Sequence, residues 1–387
     1  MMDAVGLRRR AVLLGTVGVG LLPMAARANE RVGRALGLPA VQVARPTQAV
    51  LQAVARAGKR MVAVGERGLV IYSNDGGQSW VQARVPVSCT LTALRFADAQ
   101  RGWAVGSMGV VLATEDGGAS WRRCLDGQTA ARLALQAAQA QLQASPPGSE
   151  AMAQGNLLVE DAQRLVAEGA DKPLLDIALG DDGALWAVGA YGLAFSSTDG
   201  GREWQSQMHR LPNPDGLSYY GLVSRKGEQL LFGEQGLVLG RRTGGVSGNF
   251  SAQPSPSNGS LFGALALREG SLLMLGLRGK LWRSAEPGDA WTAVQTPVDA
   301  SLVAGTQLAD GSVLLVGAAG QVLLSRDGGQ RFHPLALPQR FPFTGLAEAD
   351  DGTVLLVGMR GLLRLTPAEL TAAASSSPSS SVRKSPV

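Results

Sequence analysis

Residues 64–80 read VGERGLVIYSNDGGQSW, and residues 105–121 read VGSMGVVLATEDGGASW. The two phrases lie 41 residues apart. Self-similarity at a fixed period of roughly 20–50 residues marks a repeat architecture, and here the pattern continues along the chain. A Gly-x-x-Gly phrase closes a short apolar run starting at Gly65, Gly106, Gly189, Gly233, Gly276, Gly317 and Gly358, in steps of 41, 83, 44, 43, 41 and 41 residues. One step is doubled and the others share a period, so the chain contains seven units.

Ten residues after the first glycine of a unit stands an acidic turn, at Asp75, Asp116, Asp199 and Asp327, with Glu286 in its place in the fifth unit. Five residues further comes an aromatic: Trp80, Trp121, Trp204, Trp291 and Phe332. The fourth unit breaks the rule with TGGVSGNF and the seventh lacks the phrase. The sixth unit divides into SLVAGTQLADG, SVLLVGAAG, QVLLSRDGG and RFHPLALP. These are short runs rich in Val and Leu separated by turn residues, which is a strand and hairpin signal. Four strands in roughly 40 residues is the size of a propeller blade. One such sheet cannot cover its own apolar faces, but seven packed radially can. The sequence therefore predicts an all-β fold, a seven-bladed propeller of four-stranded antiparallel blades.

Each phrase has a structural role in that fold. The glycines of Gly-x-x-Gly are expected to supply the positive φ of a tight hairpin between second and third strands. The aspartate is expected to accept hydrogen bonds from N–H groups of its own turn, and the aromatic to pack against a neighbouring sheet. Asp75, Asp116, Asp199 and Asp327, with Trp80, Trp121, Trp204 and Phe332, are thus read as structural residues. In an up-and-down blade the acidic turns lie on the face opposite the Gly-x-x-Gly tips.

The propeller is expected over residues 39–370. The seventh unit supplies three strands before a Ser-, Pro- and Ala-rich tail, 371–387, expected to be disordered. PAVQVARP, residues 39–46, alternates apolar and polar residues and is expected to fill the outer place of the last blade, removing exposed strand edges. The doubled step is an insertion over about 127–172. TAARLALQAAQAQLQA and AMAQGNLLVEDAQRLVAEG, separated by SPPGSE, predict a helical hairpin between blades 2 and 3, with Leu135, Ala138 and Leu142 on one inner face and Leu158, Ala162 and Leu165 on the other.

The 387 residues carry a net charge of +5, with 45% apolar residues, 17% charged residues and 51 glycines. Residues 1–28 hold +3 of that excess, so the remainder is near neutral and has no basic stripe for nucleic acid. GLRRRAVLLGTVGVGLLPMAARA has a basic start, an apolar run too short to span a bilayer and small residues at Ala26 and Ala28. That pattern predicts an export signal over 1–28, cleaved after Ala28 by a secretory or twin-arginine route, then a linker over 29–38 and a periplasmic destination. The two cysteines, Cys89 and Cys124, carry no disulfide framework, and their pairing is open.

The repeated VGxxGxxxxSxDGGxSW resembles the photosystem II stability/assembly factor family of seven-bladed propellers with Asp-box, or BNR-like, repeats. The match spans roughly Pro39 to Pro367 outside the insertion. The resemblance implies a non-enzymatic scaffold without cofactor that assists assembly or stability of a membrane-protein complex, photosystem II-like or an envelope transporter. A monomer is expected. It also implies arginines at the tips, where this chain has Arg67 in GERG, Arg278 in GLRG and Arg360 in GMRG, with Tyr191 in GAYG. Arg and Tyr are favoured anchors where proteins meet, so these four are the candidate partner-binding residues.

The alternative is a glycan-active or glycan-binding propeller. A sialidase-like site needs an arginine trio, a Tyr nucleophile and an acid. Tyr219 and Tyr220 lie in a strand-like stretch, GLSYYGLV, where no acidic partner is expected nearby. His209 and His333 are the only histidines, both expected in outer strands, and neither has ligand spacing around it. No catalytic or metal residue is assigned.

Overall fold

A computed structural model of the chain describes residues 34–242 and 249–375. The proposed export signal and the break in the fourth unit over 243–248 lie outside the described residues. The described chain is a seven-bladed propeller whose blades span residues 51–82, 91–125, 174–206, 219–252, 261–294, 302–334 and 343–365. Six blades are four-stranded antiparallel sheets in sequential order and the seventh has three strands. Blade 1 is representative, with β1 (Leu51–Ala57), β2 (Arg60–Gly65), β3 (Val70–Ser73) and β4 (Val81–Gln82) running from the axis to the rim.

The period-2 burial expected of a half-exposed strand is absent from the second strand of each blade. Gly102–Gly106, Leu185–Gly189, Leu272–Gly276, Val313–Gly317 and Val354–Gly358 are buried at every position. Both faces of each sheet meet a neighbouring blade, so these strands read as continuous apolar runs. The cores are accordingly seams between blades: Val62 and Val64 of blade 1 share a cluster with Leu94, Ala104 and Leu112 of blade 2, and Leu273 and Leu275 of blade 5 share one with Val313 and Leu315 of blade 6.

The expected closing strand is not formed. Residues 39–45 have no strand structure and lie beside the outer strand of blade 1, where the Gln82 side chain accepts from Val43 N–H (2.9 Å) and donates to the Val41 carbonyl (2.9 Å). The reason lies upstream. Leu36 is only 7% exposed, seated among Val85, Val87, Val110 and Leu112 at the junction of blades 1 and 2, and Ala40 N–H donates to the Val85 carbonyl at 3.0 Å. This anchor holds the following residues against blade 1, so 34–38 is a docked segment rather than a passive linker.

The insertion is a helical hairpin, α1 (Gly127–Ala144) and α2 (Glu150–Glu168). Asp126 caps the first through Thr129 N–H (3.0 Å) and Ser149 caps the second through Met152 N–H (3.2 Å). Its buried face is made of small residues, Ala130, Ala131, Ala134 and Ala138 in one helix and Gly155 and Ala162 in the other, with Leu135, Leu158 and Leu165 only partly covered. Beyond the seventh blade the chain continues into α3 (Pro367–Ser375), so residues 371–375 of the expected tail are helical. A capping box starts it: Glu369 accepts from Thr366 N–H at 2.8 Å, and Thr366 Oγ1 accepts from Glu369 N–H at 3.3 Å. Ala373 is buried against the core of blades 6 and 7, beside the place a fourth strand would occupy.

Candidate functional site

The seven tips share one face of the disc. In five of them the backbone differs from the expected hairpin. The first glycine is extended, with φ −162° at Gly65 and −175° at Gly106, and its role is close approach: a Cβ would lie 2.1 Å from the Val50 carbonyl oxygen at Gly65 and 2.0 Å from that of Thr90 at Gly106. Positive φ falls on the second glycine and on the residue before it, which is never glycine: Arg67 (φ 53°), Met108 (63°), Tyr191 (56°), Gln235 (52°) and Arg278 (53°). A single L-residue in this left-handed region costs about 1–2 kcal/mol. The tips of blades 6 and 7 turn without it, and Arg360 has ordinary φ.

Arg67, Arg278 and Arg360 are exposed at the tips of blades 1, 5 and 7, and Tyr191, 62% exposed, at that of blade 3. The structure places the four candidates on one face at blades 1, 3, 5 and 7, the last adjoining the first; it does not gather them into one pocket. Two have charged neighbours, and that of Tyr191 is one the sequence did not reveal. The Lys172 ammonium sits 4.9 Å from the Tyr191 ring centroid and is itself paired with Asp171 (2.7 Å) and Glu168 (2.8 Å). Glu66 stands beside Arg67 in the same tip.

The acidic turns form on the opposite face. Asp116 accepts from Ser120 N–H (2.9 Å) and Thr114 Oγ1 (2.8 Å), while Thr114 Oγ1 accepts from Gly118 N–H (2.9 Å). Asp75, Asp199 and Asp327 repeat this with Ser73, Ser197 and Ser325, and Trp80, Trp121 and Trp204 donate Nε1–H to the second turn glycine at 3.0–3.2 Å. Donors converging on each carboxylate hold it below its ordinary range. At Asp75 the Ser79 hydroxyl contributes most and at Asp199 the Glu203 N–H; at Asp116 and Asp327 burial pushes upward but the hydrogen bonds together outweigh it. Every one of these side-chain hydrogen bonds stays within its own turn, as a staple of that turn requires.

The turns also clasp the preceding blade, a feature the repeat did not announce. Arg60 of blade 1 donates to the Asp116 and Gly117 carbonyls of blade 2 (3.0 and 3.1 Å), and Trp103 of blade 2 donates to Gly200 of blade 3 (2.9 Å). Arg225 of blade 4 reaches Ser284 and Glu286 of blade 5 (3.0 Å each), and Arg364 of blade 7 reaches Gly76 of blade 1 (3.0 Å). Where Glu286 replaces the aspartate, Lys226 of blade 4 pairs with it at 2.7 Å, so that turn is held from outside.

The tyrosines that a glycosidase reading would need are differently placed from expectation. Tyr220 does have an acid nearby, Glu234, but burial first and that carboxylate second raise its phenol pKa, the wrong direction for a nucleophile. Tyr219 is fully buried, its phenol pushed up to about 12 by burial. His209 lies in a short 3-10 turn after the outer strand of blade 3, not in a strand, while His333 is in one. Cys89 and Cys124 are free, and burial pushes the Cys89 thiol up to about 11. Among the described residues no group of His, Cys, Asp and Glu could hold a metal, and no helix is long and apolar enough to cross a membrane.

The chain matches no protein-family model and no curated protein. Solved structures of the same shape include one described as YCF48 bound to D1 peptide, 19% identical, with a TM-score of 0.54 over 84% of this chain and 98% of that one. YCF48 from Cyanidioschyzon merolae is 16% identical, with a TM-score of 0.56 over 85% of this chain and 99% of that one. Streptogramin B lyase is 12% identical, with a TM-score of 0.59 over 83% and 94%. At these identities the likeness is one of fold, shared by a peptide-bound protein and a lyase alike.

Proposed function

We propose that this propeller is a non-enzymatic, exported, monomeric scaffold that holds a segment of a membrane-protein complex against its tip face on the periplasmic side, assisting that complex's assembly or stability. The observation that carries the reading is the set of exposed side chains at equivalent tip positions. Arg67, Tyr191 and Arg278 keep a left-handed backbone where glycine would be relaxed, and Arg360 is exposed at a fourth tip. Strain kept at surface positions is a pointer to use of the side chain. Large planar cationic and aromatic groups on a rigid rim suit an acidic loop of a partner. A propeller of this shape with a bound peptide, YCF48, lends support by analogy.

Affinity purification of the full chain from detergent-solubilised membranes tests it. A membrane complex is expected to accompany the wild type, and a variant with Arg67→Glu, Arg278→Glu and Arg360→Glu is expected to recover less than a tenth as much, a loss of at least about 1.4 kcal/mol of affinity. Undiminished recovery by a folded triple variant overturns the reading. So does hydrolysis of a chromogenic sugar by the wild type that Tyr220→Phe abolishes.

A further inference from the structure

A groove of about 920 Å³ opens on the tip face between blades 4 and 5. Its walls are the segment leaving blade 4, residues 255–259, and blade 5 at Lys280, where the tip turn ends, at Trp282 on the third strand and at Ala293 on the outer strand. The repeat identifies its counterpart elsewhere in the ring. A Cβ on the second tip glycine would lie 2.0 Å from the Val87 carbonyl oxygen at Gly68 and 1.9 Å from that of Ser257 at Gly236, so Val87 and Ser257 are equivalent positions in blades 1 and 4. Val110 and Lys280 directly follow the second tip glycine of blades 2 and 5. Two residues on, Leu112 opposes Arg123 as Trp282 opposes Ala293.

At blades 1 and 2 this valley is full. Leu36 is buried there beside Val85, Val87, Val110 and Leu112. Hydrogen bonds to the filler's own main chain fix it in place: Ala40 N–H donates to the Val85 carbonyl (3.0 Å), Ser88 N–H to the Ala35 carbonyl (2.8 Å), and the Arg123 side-chain Nη1 to the Leu36 carbonyl (2.9 Å). The valley at blades 4 and 5 has the same walls and different chemistry. Ser255 and Ser257 stand where Val85 and Val87 do, and Lys280 stands where Val110 does. Exposed Arg278 and Lys280 are the charged groups lining it, and no carboxylate lines it.

We propose that this groove docks an acidic segment of a partner protein, laid along residues 255–259 as the helical turn 34–37 and the chain after it lie along 85–88, with its carboxylates on Arg278 and Lys280. Charge sets the occupant. The chain's own residues 376–387 carry Arg383 and Lys384 and no acid, and residues 1–33 carry five arginines against Asp3 and Glu30. Neither complements the groove, and a second copy, net positive with or without residues 1–28, fits no better. The proposal rests on the reading of the tip face as a partner-binding surface and names the segment type and the place it takes.

The probe is a fluorescein-labelled pool of ten-residue peptides with Asp or Glu at alternate positions and Ala, Leu, Val, Pro or Ser between, titrated with the full chain by anisotropy. Saturable binding is expected. Ser257→Trp, which fills the groove, and Lys280→Glu, an exposed change that leaves the wall intact, are each expected to weaken it by about tenfold. Lys59→Glu, an exposed change in the first turn of blade 1 on the opposite face, should leave it unchanged, and a matched pool with Lys for the acids should not bind. Absence of saturable binding, or binding that both folded groove variants retain, overturns the groove. The two readings separate in the membrane purification. If recovery there falls with Arg67→Glu and Arg360→Glu but ignores Ser257→Trp and Lys280→Glu, the tip face stands and the groove does not.

Discussion

Arg67 illustrates how one residue can be set against its own backbone. Its φ of 53° is shared by residues at four other tips, and the following glycine, φ 73°, already supplies the turn. Arg67→Gly removes the left-handed cost of about 1–2 kcal/mol and adds the unfolded-state entropy of glycine, about 0.5–1 kcal/mol. The expected outcome is an unchanged or slightly raised urea midpoint together with weaker recovery of the membrane complex. A large loss of stability would assign the side chain to the fold instead. Carboxylates provide a second residue-scale test. Asp116 and Asp327 are held below the ordinary range in the folded chain, so their stabilisation is complete above the unfolded value near 4 and is lost as pH falls through the folded values. Asp116→Asn should shorten the acid limb of a stability-against-pH curve. Asp176 runs the other way. Burial raises it, Arg95 opposes only in part, and its carboxylate accepts from Leu222 N–H at 3.2 Å. Its penalty sets in as pH rises through the unfolded value, so Asp176→Asn should raise the melting temperature at pH 7 and lose that advantage below about pH 4. The acidic turn was legible residue by residue because serine, aspartate and two glycines have few other uses at that spacing. The tip was legible in place and not in cause, since a glycine required by a neighbouring carbonyl looks the same in sequence as one required by its own φ.

The helical hairpin and α3 show what an element contributes beyond the repeat. Ala134 and Ala138 of α1 meet Ala162 of α2, and Gly155 would place a Cβ 3.1 Å from Leu142. Small residues let the helices approach closely, so Ala138→Glu should part them, leaving the strand signal in circular dichroism while limited proteolysis cuts first within 127–172. Cleavage at the wild-type rate would show the hairpin to be held elsewhere. Ending the chain after Thr366 removes α3 and uncovers Leu335 and Phe341. At about 25 cal/mol per Å² of apolar surface the expected loss is a few kcal/mol, read as a lower urea midpoint. Periodicity announced the hairpin, although its buried face is set by alanines rather than by the leucines that hydrophobicity favours. The TPAE capping box at 366–369 was a start signal for α3 that the serine-rich sequence following it obscured. The docking of Leu36 was not legible at all, because nothing local distinguishes one leucine between basic and glycine residues as an anchor in a valley formed 50 residues later.

The whole ring was the most legible level, since seven similar units in sequence leave few ways to cover seven pairs of apolar faces. Its closure was not, because the expected outer strand is replaced by contacts across the seam between blades 7 and 1. Thr344 Oγ1 donates to the Leu51 carbonyl (2.9 Å), Arg364 donates to Gly76 (3.0 Å), and Arg56 pairs with Asp350 at 3.6 Å near the surface. Exposed ion pairs contribute about 0–1 kcal/mol, so the first two matter more. Arg364→Ala should lower the melting temperature and raise amide exchange in blades 1 and 7 before the others, whereas uniform exchange around the ring would place closure elsewhere. The clasp of the acidic turns of blades 2, 3 and 5 by the blade before each gives the molecule a direction. Arg60, Trp103 and Arg225 all belong to chain already made when the turn they hold is synthesised. Blade 1 alone must wait for a partner 288 residues downstream. A ribosome or translocon releasing the chain from its N-terminus can therefore hand over blades one at a time, each latching onto its elder, and a product cut short anywhere before Arg364 betrays itself by a loose first blade.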